Sequence, residues 1–182
     1  MGKKDLQAFI AAKKKKSKKT KEINWTKKKD DWLTKLNKLY TDIEFWLNDL
    51  EQDVVSIKSV DKEINEEYIG IYTAKKMILR IADEQIVLDP VGTLLIGAAG
   101  RVDMTGKNGQ VKLVLVPASA TGVQIKVQIK TEGESEGDIE KNKDGNGQEE
   151  MVWKIATPPP SIKYIELDSD SFSDALLEVI GE

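Results

Sequence analysis

Glycines within the stretch LDPVGTLLIGAAGRVD, residues 88–103, stand at spacings that phosphate-binding loops use. Gly92 and Gly97 reproduce the G-x-x-x-x-G spacing of a P-loop, in which backbone amides surround the phosphates of a nucleotide. Ala98 and Ala99 stand where that loop needs a lysine and a hydroxyl side chain. Because those side chains hold the terminal phosphate and the magnesium ion, the spacing alone does not predict nucleotide binding. We interpret the glycines as residues that allow a turn and close packing of two buried strands.

A carboxylate-dependent site is the second candidate. Metal-dependent nucleases of the PD-(D/E)xK type place an aspartate on one strand and an acid-x-lysine sequence on the next, and Asp103 with Lys112 is the nearest match, although Gln110 replaces the second acid. Asp89 is a further carboxylate that could join this site. A magnesium ion would be poorly held by so few carboxylates. A cross-strand ion pair explains the same residues, and a divergent carboxylate-dependent metal nuclease is the alternative function.

The chain contains no cysteine and no histidine. The absence of cysteine excludes disulfides, thiolate nucleophiles and cysteine zinc sites. The absence of histidine excludes the most frequent general base, the serine–histidine triad and histidine metal ligation. Catalysis would therefore depend on carboxylates, lysine, tyrosine or hydroxyl groups. We expect no bound metal and no cofactor, and we favour a protein without enzymatic activity.

Charge is distributed unevenly along the 182 residues, although the net charge is only −3. Residues 1–30 contain 12 lysines and three acids, a balance of +9, and the rest of the chain has a balance of −12. We therefore define residues 1–28 as a basic, partly helical N-terminal arm. Ten lysines between residues 13 and 29 are expected to contact a polyanion or an acidic partner: Lys13, Lys14, Lys15, Lys16, Lys18, Lys19, Lys21, Lys27, Lys28 and Lys29.

Within the arm, the pattern after Asp5 predicts a short helix with Leu6, Phe9 and Ile10 on one face. Order beyond Ala12 would require acidic neighbours, because consecutive lysines repel one another. No apolar run reaches the roughly 20 residues that a membrane-spanning helix needs. We expect a cytoplasmic protein.

A long amphipathic helix is predicted from about residue 27 to residue 53, with Thr26 or Asp30 near its start. Its main apolar stripe is Leu33, Leu36, Tyr40, Ile43, Leu47 and Leu50, with Trp32, Leu39 and Trp46 in a second row. If part of this surface stays exposed, Trp32, Tyr40 and Trp46 could anchor a partner.

Short apolar runs separated by turn residues predict strands from residue 54 onwards. These runs are residues 54–58, 68–73, 75–81, 84–89, 93–98, 101–104, 110–116, 123–130, 151–157 and 162–168. Asn108 and Gly109 predict a hairpin turn in which Met104 faces Leu113 and Val102 faces Leu115.

A C-terminal helix is predicted by a capping-box pattern at Ser171 and Asp174, a buried stripe from Phe172 to Ile180, and Gly181 as its end. Residues 131–150 have the composition of a mobile acidic loop. The expected fold is α+β, with an antiparallel sheet or partly closed barrel of about seven to nine short strands flanked by a long N-terminal helix and a C-terminal helix. Residues 29–182 would form a single domain.

These features indicate a non-enzymatic interaction or accessory protein whose basic arm contacts nucleic acid, as a polyanion, or an acidic protein partner. Homo-oligomerisation is compatible with the pattern. A small-ligand-binding β-barrel is the second alternative, since alternating strand residues could line a cavity.

Overall fold

The computed structural model describes residues 3–21, 24–93, 95, 97–123 and 149–181. Residues 124–130 of the strand predicted at 123–130, and residues 131–148 of the predicted acidic loop, lie outside these residues. The helices in the described part are α1 (Lys3–Lys21), α2 (Trp25–Leu47) and α3 (Ser169–Ile180). Its strands are β1 (Val55–Glu66), β2 (Gly70–Ile81), β3 (Glu84–Gly92), β4 (Gly100–Gly106), β5 (Gly109–Pro117), β6 (Met151–Ala156) and β7 (Tyr164–Glu166).

The seven strands form one antiparallel sheet in chain order, from β1 at one edge to β7 at the other. The sheet is not closed, because β1 pairs with β2 and β7 pairs with β6 but not with each other. The α+β prediction is therefore confirmed, and the open sheet is the arrangement found rather than the barrel.

Helix α2 packs its apolar surface on the sheet, where Leu36 and Ile43 are completely buried. The helix begins earlier and ends earlier than predicted. Asn24 caps its start by accepting a hydrogen bond from the backbone amide of Lys27 at 3.0 Å. Leu50 lies beyond the helix and is 47% exposed, so the apolar periodicity continued past the point where the backbone leaves the helix.

Helix α3 covers the same side of the sheet. Asp168 is its cap and forms a capping box with Ser171, three residues before the predicted cap. Phe172 is completely buried and contacts Trp46 of α2, with ring centroids 5.6 Å apart. Gly181 ends the helix in the left-handed conformation, as predicted. The two helices therefore share one core with the sheet.

The strand boundaries differ from the prediction in several places. β1 continues to Glu66, whereas the predicted first strand ended at residue 58. Residues 68–73 and 75–81 were expected as separate strands, and most of this stretch forms the single strand β2. The predicted strand at 93–98 is not one, since its described residues contain only an isolated bridge between Leu95 and Ala98. Glycine and small residues in this loop favour turns over continuous pairing.

The predicted register of the β4–β5 hairpin is wrong by two residues. Gly106 pairs with Gly109, so Lys107 and Asn108 form the turn, and Met104 pairs with Val111. Because side chains alternate with a period of two, a shift of two residues leaves the same side chains facing the core. The predicted apolar face was therefore correct although the pairing was not.

The β1–β2 hairpin turns opposite faces towards the core at its two ends. Its pairing runs without interruption from Val55 to Glu66. Near the start of β1 the buried residues of β2 are Met77 and Leu79, whereas near the hairpin tip Ile64 and its partner Tyr72 are buried. These two sets lie on opposite faces of a continuous ladder. The hairpin must therefore twist strongly along its length.

Candidate functional site

The glycine-rich segment serves close packing. A Cβ atom on Gly100 would lie 2.2 Å from Cζ3 of Trp32, whose side chain is 1% exposed. A Cβ atom on Gly92 would lie 3.0 Å from the carboxyl group of Glu66. Gly92 and Gly100 thus make room for the side chains of the β1–β2 hairpin and of α2, which supports the packing interpretation at these two positions, whereas a Cβ on Gly97 would meet nothing within 4 Å.

A buried carboxylate next to this segment was missed by sequence reasoning. Glu66 is 7% exposed, and its side chain accepts hydrogen bonds from the Tyr72 hydroxyl, from the Thr93 amide at 3.0 Å and from the Thr93 hydroxyl at 2.9 Å. Burial and the neighbouring Glu66 carboxylate raise the pKa of the Tyr72 phenol. Its position in the alternation of β1, two residues after the buried Ile64, was the available signal. The network joins the hairpin tip to the loop after β3.

The residues of the alternative catalytic site come together on the outer face of the sheet. Asp89 of β3 pairs directly with Asp103 of β4, and Asp103 pairs directly with Lys112 of β5. Asp103 and Lys112 are therefore direct cross-strand neighbours. All three lie in one row, which we call the charged row.

Each carboxylate of the charged row has its own cation. Lys62 Nζ lies 2.6 Å from Asp89 Oδ1 and donates to the Pro90 carbonyl at 2.9 Å. Arg101 meets Asp103 at two points, with Nε 2.8 Å from Oδ1 and Nη2 3.0 Å from Oδ2. Among the described residues, no group of three or more acidic, histidine or cysteine side chains could hold a metal ion. Arg101 and Asp103 both belong to β4, so the ion pair of Asp103 runs along its own strand, and the expected cross-strand ion pair with Lys112 is not found in the described part of the chain.

A buried lysine lies further along the outer face and was also missed. Lys154 is 5% exposed, pairs with Val114 across β5 and β6, and donates to the carbonyls of Ala118 at 2.8 Å and Ala120 at 2.9 Å. Val116 on the same face is completely buried. The chain after β5 is therefore held against the outer face of the sheet by this lysine.

The basic arm is helical for longer than predicted. Helix α1 runs from Lys3 to Lys21 and includes seven of the ten predicted contact lysines in a single helix, rather than ending near Ala12. Every residue from Lys4 to Lys13 is exposed. Leu6 and Phe9 are each 60% exposed and Ile10 is 50% exposed. Leu6, Phe9 and Ile10 therefore form an exposed apolar stripe on the lysine-rich helix α1.

The other three predicted contact lysines belong to the first turns of α2. Lys28 Nζ lies over the ring of Trp25 at 5.1 Å from its centroid, and Trp25 stacks on Tyr68 of the β1–β2 turn with centroids 5.0 Å apart. Lys27 is exposed and Lys29 is partly buried. The chain from Trp25 onwards is thus packed on the body, and the separate basic element is α1.

The aromatic residues predicted as a partner face are used inside the chain. Trp32 is 1% exposed and Tyr40 is 5% exposed. The Tyr40 hydroxyl donates to the Lys75 carbonyl at 2.8 Å, and burial raises its pKa. Trp46 is partly buried against Phe172. Trp32 and Tyr40 do not stay exposed, as a partner-binding face would require, because the sheet covers them.

A cavity of about 570 Å³ lies beside the first half of α2. Leu115 and Met151 contribute apolar lining, and Lys27, Asp31 and Glu150 contribute charged lining. The cavity lies outside the sheet rather than between strands, so it does not have the position that the ligand-barrel alternative requires.

Comparisons with protein-family models, with curated proteins and with solved structures give no significant match. Within the described part of the chain, no helix combines the length and the apolar character needed to cross a membrane. Function is therefore inferred from the geometry and charge of the chain itself.

Proposed function

We propose that this chain is a non-enzymatic interaction protein that uses α1 to attach its acidic body to a negatively charged partner. The observation that carries this proposal is the exposure of every residue from Lys4 to Lys13 in a helix whose lysines greatly outnumber its acids. Repulsion between neighbouring lysines destabilises this helix when it stands alone. Contact with a negative surface removes that repulsion.

An acidic protein surface fits α1 better than nucleic acid does. Phosphate contacts require cations only, whereas Leu6, Phe9 and Ile10 present apolar area that water-exposed phosphates would leave uncovered. A partner with apolar side chains surrounded by carboxylates would bury this stripe and neutralise the lysines together. Nucleic acid is the other outcome of the test.

The decisive experiment measures binding of the full chain to three probes over a range of salt concentrations. The probes are mixed-sequence duplex DNA, a highly acidic folded protein and vesicles containing an anionic lipid. One variant replaces Lys13, Lys14 and Lys15 with glutamine, and a second replaces Leu6, Phe9 and Ile10 with serine. A matched control replaces three body lysines with glutamine: Lys58, Lys76 and Lys163.

We expect the arm-lysine variant to weaken binding to the acidic protein more than the control does, and the serine variant to weaken it by about tenfold or more, since several partly exposed apolar side chains lose their burial. If the affinity for duplex DNA falls in the lysine variant and is unchanged in the serine variant, the arm is assigned to nucleic acid. Vesicle binding that requires both features would assign it to a lipid surface. Absence of binding to all three probes at low salt would refute the proposal.

A metal-dependent nuclease is the second candidate, favoured by the juxtaposition of Asp89, Asp103 and Lys112 in the charged row. The test is cleavage of duplex and single-stranded DNA with magnesium by the wild type and by the variant Asp103→Asn with Lys112→Ala. Cleavage that persists unchanged in the variant, or no cleavage in the wild type, removes this candidate.

A further inference from the structure

The C-terminal end of α2 is an acidic stretch with exposed apolar side chains. Residues 39–57 contain five acids and no lysine or arginine. Phe45 is 75% exposed, Leu50 is 47% exposed and Val54 is 40% exposed. A side chain as large as Phe45 at such exposure is unusual in an otherwise polar helix surface, because burial of an aromatic ring is strongly favourable.

A cavity of about 240 Å³ opens in this stretch, between the end of α2 and the start of β1. Leu47, Val55 and Ile57 contribute apolar lining, and Glu44 contributes a carboxylate. We call this cavity the acidic socket; the exposed Phe45, Leu50 and Val54 are close to its lining residues along the chain. Its chemistry suits an apolar side chain flanked by cations.

Helix α1 has the complementary chemistry. Leu6, Phe9 and Ile10 are spaced three and four residues apart, so they lie on one face of the helix. Lysines stand on both sides of this stripe along the chain, at Lys4 and Lys13. Residues 3–21 contain nine lysines and one acid, a balance of +8, which is opposite in sign to the balance of −5 in residues 39–57.

The stripe does not occupy the socket of its own chain, since Leu6 is 60% exposed and Phe45 is 75% exposed. At about 1.5 Å per residue, Leu6 lies roughly 22 Å from the end of α1, whereas Phe45 lies roughly 30 Å from the start of α2. Folding α1 back along α2 would also use the short connection between them to cross a helix-to-helix distance of about 8–10 Å. Docking to a second copy of the chain does not depend on this connection.

We infer that α1 of one copy docks in the acidic socket of a second copy, so that the chain self-associates through its arm. This inference rests on the proposed function, because it names the acidic protein partner of α1. Two copies that exchange arms reciprocally would satisfy both sockets and close the assembly as a dimer.

The experiment measures the mass of the full chain in solution by sedimentation equilibrium at low and high salt. The wild type is expected to dimerise at low salt. At 1 M salt, where the Debye length falls to about 3 Å, its dimer dissociation constant is expected to rise about tenfold or more. The socket variant is Glu44→Lys with Glu51→Lys. Its control, Glu63→Lys with Asp83→Lys, makes the same charge change at exposed positions elsewhere and is expected to dimerise more tightly than the socket variant.

A mixing experiment separates docking from loss of folding. The socket variant keeps an intact arm, and the variant with serine at positions 6, 9 and 10 keeps an intact socket. Each alone is expected to be monomeric, and their equimolar mixture is expected to form a one-to-one complex. Circular dichroism of each variant verifies that it is folded.

A wild type that stays monomeric at low salt would overturn the inference, and so would a socket variant that dimerises as well as its control. If the wild type is monomeric but still binds the acidic probe protein through its arm, the proposed function stands and only the second copy is rejected as the partner. If it binds no acidic probe and no copy of itself, both proposals fail.

Discussion

Gly100 tests whether the glycine-rich segment exists for packing. An alanine Cβ at this position would lie 2.2 Å from Cζ3 and 2.3 Å from Cε3 of Trp32, more than 1 Å inside an ordinary contact. Trp32 is 1% exposed and contacts Trp153 with ring centroids 5.8 Å apart, so it has little room to retreat. Overpacking of a core costs about 1–3 kcal/mol, and we expect Gly100→Ala to approach the upper value.

The assay is urea unfolding followed by tryptophan fluorescence. A loss of about 3 kcal/mol corresponds to a decrease of roughly 6–12 °C in Tm for a chain of this size. Trp32→Leu should reduce the effect, because a smaller side chain leaves room for the added methyl group. The double variant is therefore expected to be more stable than the sum of the two single changes predicts.

Gly97→Ala is the control, since a Cβ there meets nothing within 4 Å although φ is +79°. It should cost only the strain of a left-handed alanine, about 1–2 kcal/mol, and Trp32→Leu should not relieve it. A packing role for Gly100 is refuted if Gly100→Ala changes the free energy of unfolding by less than about 0.5 kcal/mol. It is also refuted if Gly100→Ala costs as much in the Trp32→Leu background as in the wild type.

Three further predictions concern the body. Ala82→Gly is expected to raise the free energy of unfolding by about 0.5–1 kcal/mol in urea titrations, because Ala82 has φ of +53° and glycine adopts this conformation without strain; a decrease would contradict this. Tyr72→Phe should lower the free energy of unfolding by about 1–3 kcal/mol, since it removes a donor to the buried Glu66. The pKa of Tyr72 is raised in the folded state, so the stability that its neutral phenol contributes is present below the ordinary pKa of 10.0 and is lost as the pH rises above that value. The variant should therefore lose less stability than the wild type at alkaline pH. Asp168→Asn should destabilise α3 at neutral pH, because the hydrogen bond from the Ser171 amide holds the pKa of Asp168 below 3.8. The stability that this carboxylate contributes is present above pH 3.8 and is lost as the pH falls through the lower folded pKa. A difference in stability from the wild type that does not shrink in acid unfolding curves would exclude the cap as its source.

Local periodicity was sufficient to predict the helices that cover the sheet. The spacing of Leu36 and Ile43 marked the buried face of α2, and Phe172 and Gly181 marked the face and the end of α3. The alternation of apolar residues in β5 likewise marked the core face. These patterns are readable because a helix or strand repeats its side-chain direction every few residues along the chain.

Sequence reasoning failed where distant segments had to be brought together. No local signal places Asp89 beside Asp103, because β3 and β4 are separated along the chain by residues 93–99 and no short turn between them fixes the register. The burial of Glu66 follows from the twist of the β1–β2 hairpin, which turns the hairpin tip over. The length of α1 was also underestimated, since repulsion between lysines argues against a helix that the chain nevertheless forms.

Residue types and their order along the chain establish the separation of charge between arm and body, the lack of thiol and imidazole chemistry, and the helical and extended segments. These depend only on composition and on near neighbours. The covering of Trp32 and Tyr40, the exposure of Phe45 and the ion pairs of the charged row depend on which surfaces meet in the folded chain. Burial and strand register are settled by the packing of the whole domain, which no single segment encodes.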